Sequence, residues 1–210
     1  MEEIIINEEV EKRKDLLIWV DLETTGLDLD DSMRGVHKHK ILEIGIHITD
    51  SYYNIIDDGL EIIVHHDKEV IEPLMIEYVK NMHESNGLLE KVEKSTISLQ
   101  EAEKMIVDYI NSYNIEPGSS PICGNNVGFD KNFIDAQLPQ FSKFLHYRKI
   151  DVSSLKEIVR RQYPEVLELV KKEANHRALD DIKESIKELI TYQENVFIPI
   201  TLALEKKLKL

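Results

Sequence analysis

Asp21 and Glu23 stand one residue apart in the stretch WVDLETTGLD, directly after the apolar run Leu17, Ile18, Trp19 and Val20. Alternate residues of an extended chain project to the same side, so the two carboxylates point together where the chain is about to turn at Gly26. Held against a buried strand they repel each other and lose hydration, which is expensive unless something compensates. Either the strand ends in water, or a hard cation lies between the two groups; carboxylate oxygens suit magnesium or manganese. D-x-E is a common pair and by itself leaves both alternatives open.

Two more segments carry groups of the same kind. In GNNVGFDKNFID, Asp130 begins or precedes a helix, where an aspartate can be a simple N-cap; Gly124 and Gly128 would let backbone approach a ligand closely. In NHRALDDIKESI, His176 falls just before or inside the first turn of the last long helix. At roughly 100° per residue, Ala178, Ile182, Ser185, Ile186 and Leu189 share one helix face. Asp181 lies on the flank of that face and Asp180 nearly opposite it, so Asp181 is the residue able to reach a cleft beside the core.

The elements that must bring these groups together can be read from hydrophobic period. Residues 16–20, 41–50 and 60–66 have the character of strands joined by short connections, which makes antiparallel pairs. Ser98 followed by Glu101 is a capping box, opening a helix in which Ala102, Met105, Ile106, Tyr109, Ile110 and Tyr113 keep helical spacing. PICG (121–124) and KIDV (149–152) are two further short strands, with helical patterns in FDKNFIDAQL, DVSSLKEIVRRQY, PEVLELVKK and HRALDDIKESIKELITYQ. A three-strand meander followed by strands alternating with helices indicates an α/β domain around one mixed sheet flanked by helices.

Composition limits what this domain can bind. Acidic residues outnumber basic ones 40 to 26, for a formal charge of −14. A protein that grips a long polyanion normally has a basic face. A nucleic-acid substrate would therefore be short, or met by metal ions. The single cysteine, Cys123, excludes an internal disulfide and fits a reducing compartment. No apolar run approaches a membrane span, and MEEIIINEEVEKRKD has the character of neither a signal nor a transit peptide. The expected location is cytoplasmic, with the mitochondrion as the alternative.

The order D-x-E, D, H-x-x-x-x-D resembles that of the DEDDh exonucleases, a family of ribonuclease H-like fold. DLETTGL, ILEI, GNNVGFD, HYRKIDVSSLKE and HRALDDI resemble, in order and spacing, the motifs of its oligoribonuclease branch. The similarity spans residues 15–197, leaving an acidic segment 1–14 and an apolar, then basic, tail 198–210 of unknown role. It implies a five-stranded sheet and two divalent ions, Mg2+ or Mn2+, held by Asp21, Glu23, Asp130 and Asp181: Asp21, Glu23 and Asp181 at one, Asp21 and Asp130 at the other. It further implies His176 as the general base, whose ordinary pKa near 6.5 suits taking a proton from the attacking water. The implied reaction is 3′→5′ release of 5′-mononucleotides from short single-stranded RNA, down to dinucleotides, by a homodimer.

The substrate side shows departures. In YVKNMHESNGL, His83 matches the branch but Tyr78 replaces its usual tryptophan, leaving a smaller stacking face. Leu27 resembles the residue that wedges between two bases. Asn126 replaces a serine that helps close a pocket on the 5′ phosphate. Tyr147 and Arg148 resemble the residues that complete this cap from the second subunit. Two other readings remain: an exonuclease on DNA 3′ ends, and a nuclease-like fold that binds without cutting.

Overall fold

The computed structural model describes residues 11–27, 35–170 and 177–198. The first strand, β1 (Leu17–Thr24), runs through both carboxylates instead of stopping at residue 20. The reason is its neighbour. β2 (Ile41–Thr49), which follows the short helix α1 (Gly35–Lys38), pairs antiparallel with β1 from Leu17 opposite Thr49 to Glu23 opposite Glu43. The register slips only past Glu23, an irregularity of the kind found beside active sites.

β3 (Leu60–Ile63) pairs with the other edge of β2. Four short elements follow that hydrophobic period did not resolve: α2 (Lys68–Ile71), a 3-10 turn (Glu72–Leu74), α3 (Glu77–Ser85) and α4 (Leu88–Lys94). They close over Leu42, packing Ile71, Leu88 and Val92 into a small core of their own. In α5 (Leu99–Ser112) the expected capping box is present: Ser98 accepts from the Glu101 N–H, and the Glu101 side chain accepts from the Ser98 N–H.

The chain then passes through β4 (Ser120–Gly124), α6 (Gly128–Gln137), α7 (Pro139–Phe144), β5 (Leu145–Asp151), α8 (Val152–Gln162), α9 (Pro164–Leu167) and α10 (Ala178–Tyr192). The sheet order is β3-β2-β1-β4-β5, antiparallel up to β1 and parallel from β1 to β5. This is the mixed five-stranded sheet expected from the sequence. β5 is longer than KIDV alone, taking in Leu145 to Arg148 as well. α9 is shorter than PEVLELVKK, and a π turn (Gln193–Phe197) carries α10 on to the start of the tail.

Each face of the sheet has its own core. Ile18, Val20, Leu22, Ile44, Ile46 and Ile48 pack under α5, α6 and α7, with Ile106, Ile110, Phe133 and Phe141. Trp19 and Cys123 on the opposite face pack with Ile182, Ile186, Leu189 and Tyr192 of α10. No helix among the described residues is long and apolar enough to cross a membrane. The 199–210 segment and most of the acidic N-terminus (1–10) fall outside the described residues.

Candidate metal centre

Three elements converge on the face of β1 that α10 covers. Asp21 and Glu23 leave β1 on that face, and opposite them on β2 stand Gly45 and Glu43. Gly45 is where α10 touches down: a Cβ built there would lie 2.7 Å from the Ala178 Cβ and 2.9 Å from its carbonyl carbon. Ala178 therefore rests on the strand backbone, and Asp181, three residues on, is carried to the carboxylate pair. Asp180 is exposed, as the helical wheel requires. Asp21, Glu23 and Asp181 each present an oxygen such that these atoms all lie within 4.8 Å of one another.

Asp130 arrives from the other side of β1. It lies in the first turn of α6, whose N-cap is Val127, so it is not the capping residue. Its carboxylate instead accepts the Leu22 N–H at 3.0 Å. β4 pairs with β1 only at Ile18 and Trp19, which leaves the Leu22 N–H without a strand partner, and Asp130 satisfies it. Asp130 is 4% exposed.

The electrostatics are those of a site short of positive charge. Burial, then Asp130, Glu23, Asp181 and Glu43, push the Asp21 carboxyl well above the usual carboxylate range. Burial, then Glu43, Asp181 and Asp130, raise Glu23 to about 8, against a smaller opposing effect of Arg177. Such groups hold protons that the unfolded chain would release, so without metal, stability falls as pH rises from the unfolded carboxylate value through 8. We expect the melting temperature in EDTA to drop by roughly 5 °C or more between pH 5 and pH 8. Saturating Mn2+ should flatten that slope. Calorimetry with and without the ion checks it, and a melting temperature that rises with pH in EDTA would contradict the assignment.

Sequence patterning assigns no role to Glu43 or Arg177, yet both belong here. Glu43 is fully buried directly across from Glu23. The Arg177 side chain, just ahead of α10, meets it with three hydrogen bonds. The available signal was alternation in β2. Glu43, Gly45, His47 and Thr49 alternate with isoleucines and resemble a solvent-facing set, but the whole strand is buried because α10 covers that face.

His83 is fully buried on α3; its Nε2 donates to the Thr24 carbonyl at 3.0 Å and its Nδ1 lies 3.9 Å from Glu23. Thr25 bonds to His39 and accepts the Lys40 N–H, and the His39 ring occupies the space a Cβ on Gly26 would need. That turn ends at Leu27, which is 68% exposed. Tyr78, five residues before His83 on the same helix, is also exposed. Asn126 has a left-handed backbone (φ 51°), with its N–H donated to Asp151 and Ser153. Tyr147 and Arg148 are exposed on the edge strand β5, two strands from the carboxylates, the guanidinium 5.2 Å from the tyrosine ring centre. His176 lies outside the described residues.

The family profile RNase_T, described as "Exonuclease", matches residues 18–189. An oligoribonuclease of Marinobacter nauticus is 43% identical over 183 residues, covering 87% of this chain and 97% of that protein. The mitochondrial oligoribonuclease of Homo sapiens is 46% identical over 182 residues, covering 86% of this chain and 73% of that protein. Among solved structures, S. pombe Pop2p, in a Mg2+- and Mn2+-bound form, aligns with a TM-score of 0.65 at 12% identity, over 86% of this chain and 84% of its own. Exonuclease I of Methylocaldum szegediense aligns at 0.63 and 15% identity, over 86% of this chain and 41% of its own. These structural likenesses bear on fold alone.

Proposed function

Because the chain belongs to the RNase_T exonuclease family, in its oligoribonuclease branch, we propose that it removes 5′-mononucleotides from the 3′ ends of RNAs of two to about five nucleotides. The observation that carries this reading is the convergence of Asp21, Glu23 and Asp181 within 4.8 Å, beside Asp130. Their chemistry fits hard divalent cations: every donor is a carboxylate oxygen, and the charge is uncompensated enough to raise two of the carboxyls. When bound, a pair of Mg2+ or Mn2+ ions would offset that charge and stabilise the attacking and leaving oxygens at phosphorus.

The residues themselves then divide the work. Asp21, Glu23 and Asp181 would hold one ion, and Asp21 with Asp130 the second. His176, immediately before Arg177 in sequence, is assigned the general base, taking the proton of the attacking water. His83, expected among the substrate-binding residues, would serve the substrate from a buried position that also steadies the Glu23 end of β1. Leu27 and Tyr78 offer apolar surface to the two terminal bases. Asn126 contributes to a cap on the 5′ phosphate, completed by Tyr147 and Arg148 of a second copy in a homodimer. A substrate with so few phosphates needs no basic track, in keeping with the charge of −14. The cytoplasm or the mitochondrial matrix would supply such RNA fragments.

Turnover should be fastest on a dinucleotide and fall steadily with length. Rates on 5′-labelled RNAs of two to seven nucleotides with Mg2+, beside single-stranded DNA, test this. Faster cleavage of the seven-mer or of DNA would replace the assignment with that of a trimming exonuclease, and no cleavage with either Mg2+ or Mn2+ would leave a binding module.

A further inference from the structure

Arg177 connects the start of α10 to the sheet by two routes. Its carbonyl accepts the N–H groups of Asp180 and Asp181, each at 3.0 Å. Its side chain turns away from the helix and lies against β2 and β3. Nε donates to both oxygens of Glu43 at 3.2 and 3.1 Å, and Nη2 donates to Glu43 at 2.9 Å and to Glu61 at 2.7 Å. Glu61 stands across from Gly45, the residue on which α10 rests.

The first turn of α10 needs such an anchor. Arg177 is its N-cap, and the turn has no side-chain cap. Asp181 is held close to two further carboxylates, and whenever these are ionised their repulsion acts to lift the helix from the sheet. A planar guanidinium bonding two carboxylates on adjacent strands resists that displacement in a way a single ammonium cannot. We propose that Arg177 is a positioning residue: gripped by Glu43 and Glu61, it fixes the first turn of α10 so that the Asp181 carboxylate stays in register with Asp21 and Glu23. This rests on the reading of those three groups as a cation site. The competing role is charge neutralisation alone, in which Arg177 serves only to pair a buried Glu43.

The two roles separate experimentally. Mn2+ affinity of the free protein, measured by electron paramagnetic resonance, is compared with kcat and KM on an RNA dinucleotide and with melting temperature. Arg177→Lys keeps the charge and loses the fork. It should melt within a few degrees of the parent, yet bind Mn2+ at least 5-fold more weakly and lose at least 10-fold in kcat with little change in KM. Parental Mn2+ affinity and kcat in that variant would overturn the proposal. Glu43→Leu combined with Arg177→Met leaves no buried charge unpaired, since Glu61 faces solvent; stability without recovered kcat or Mn2+ affinity supports positioning, and recovery of all three establishes neutralisation instead. Parent protein that fails to bind Mn2+ would reject the cation site before any variant is compared. Parent that binds Mn2+ but spares the dinucleotide would reject the substrate while leaving the affinity comparison intact.

Discussion

Asp21→Ala should remove cleavage, by roughly 10⁴-fold or more in kcat, and at the same time raise the melting temperature of the metal-free protein. The activity loss follows from position. Asp21 has Asp130 as well as Glu23 and Asp181 for neighbours, and is the one carboxylate assigned to both ions. The gain in stability follows from the same crowding. Without cations the folded state holds this group against burial and four neighbouring carboxylates. The unfolded state carries none of that penalty, so removing the group favours folding at neutral pH. A gain of about 2 kcal/mol would appear as a rise of roughly 5 °C in EDTA. With Mn2+ the order should reverse, because the parent gains binding free energy that the variant has lost. Dinucleotide turnover and paired melts with EDTA or Mn2+ decide it; turnover within tenfold of the parent would remove Asp21 from the centre of the site.

Most of the carboxylate site was legible because local rules act on it directly. The two-residue strand period put Asp21 and Glu23 on one side, and the helical wheel separated Asp181 from the exposed Asp180. Asp130 was found as a helix-start residue, but its bond to Leu22 depends on where β4 stops pairing with β1, which no local pattern reveals. Glu43 escaped because its strand alternates as though one face met water, and only the packing of α10 over Gly45 makes that face internal. The short helices α2 to α4 escaped for a related reason. None exceeds nine residues; α2 and α4 take their stability from packing against Leu42 and its neighbours and α3 buries His83, so none shows a sustained apolar stripe. β5 extended beyond KIDV because pairing with β4 begins at Leu145 opposite Ser120, in a stretch whose exposed Tyr147 and Arg148 resemble a loop.

That dependence on α10 gives a second large expected effect, at a residue with no functional group. Gly45→Val should cost at least 100-fold in kcat and lower the melting temperature by roughly 5–10 °C, although valine suits a strand better than glycine does. Strand propensity and helix placement thus predict opposite signs. The new Cβ would lie 2.7 Å from the Ala178 Cβ, 2.9 Å from its carbonyl carbon and 3.0 Å from the Leu179 nitrogen. Carbon atoms pack at about 3.5–4.0 Å, so the helix start must lift by about 1 Å. Two of the three clashes are with backbone, which no rotamer change relieves. Overpacking of this kind costs about 1–3 kcal/mol. Asp181 lies one turn from the clash, and a shift of about 1 Å at a reacting centre can cost 10²-fold. Free Mn2+ affinity should fall with kcat, since the same carboxylate is displaced. Adding Ala178→Gly removes only the Cβ contact and should restore part of the loss, leaving the backbone clashes in place. A Gly45→Val protein with parental kcat and Mn2+ affinity would mean that α10 can shift without moving Asp181, and that the close seat on β2 does not set the geometry of the site.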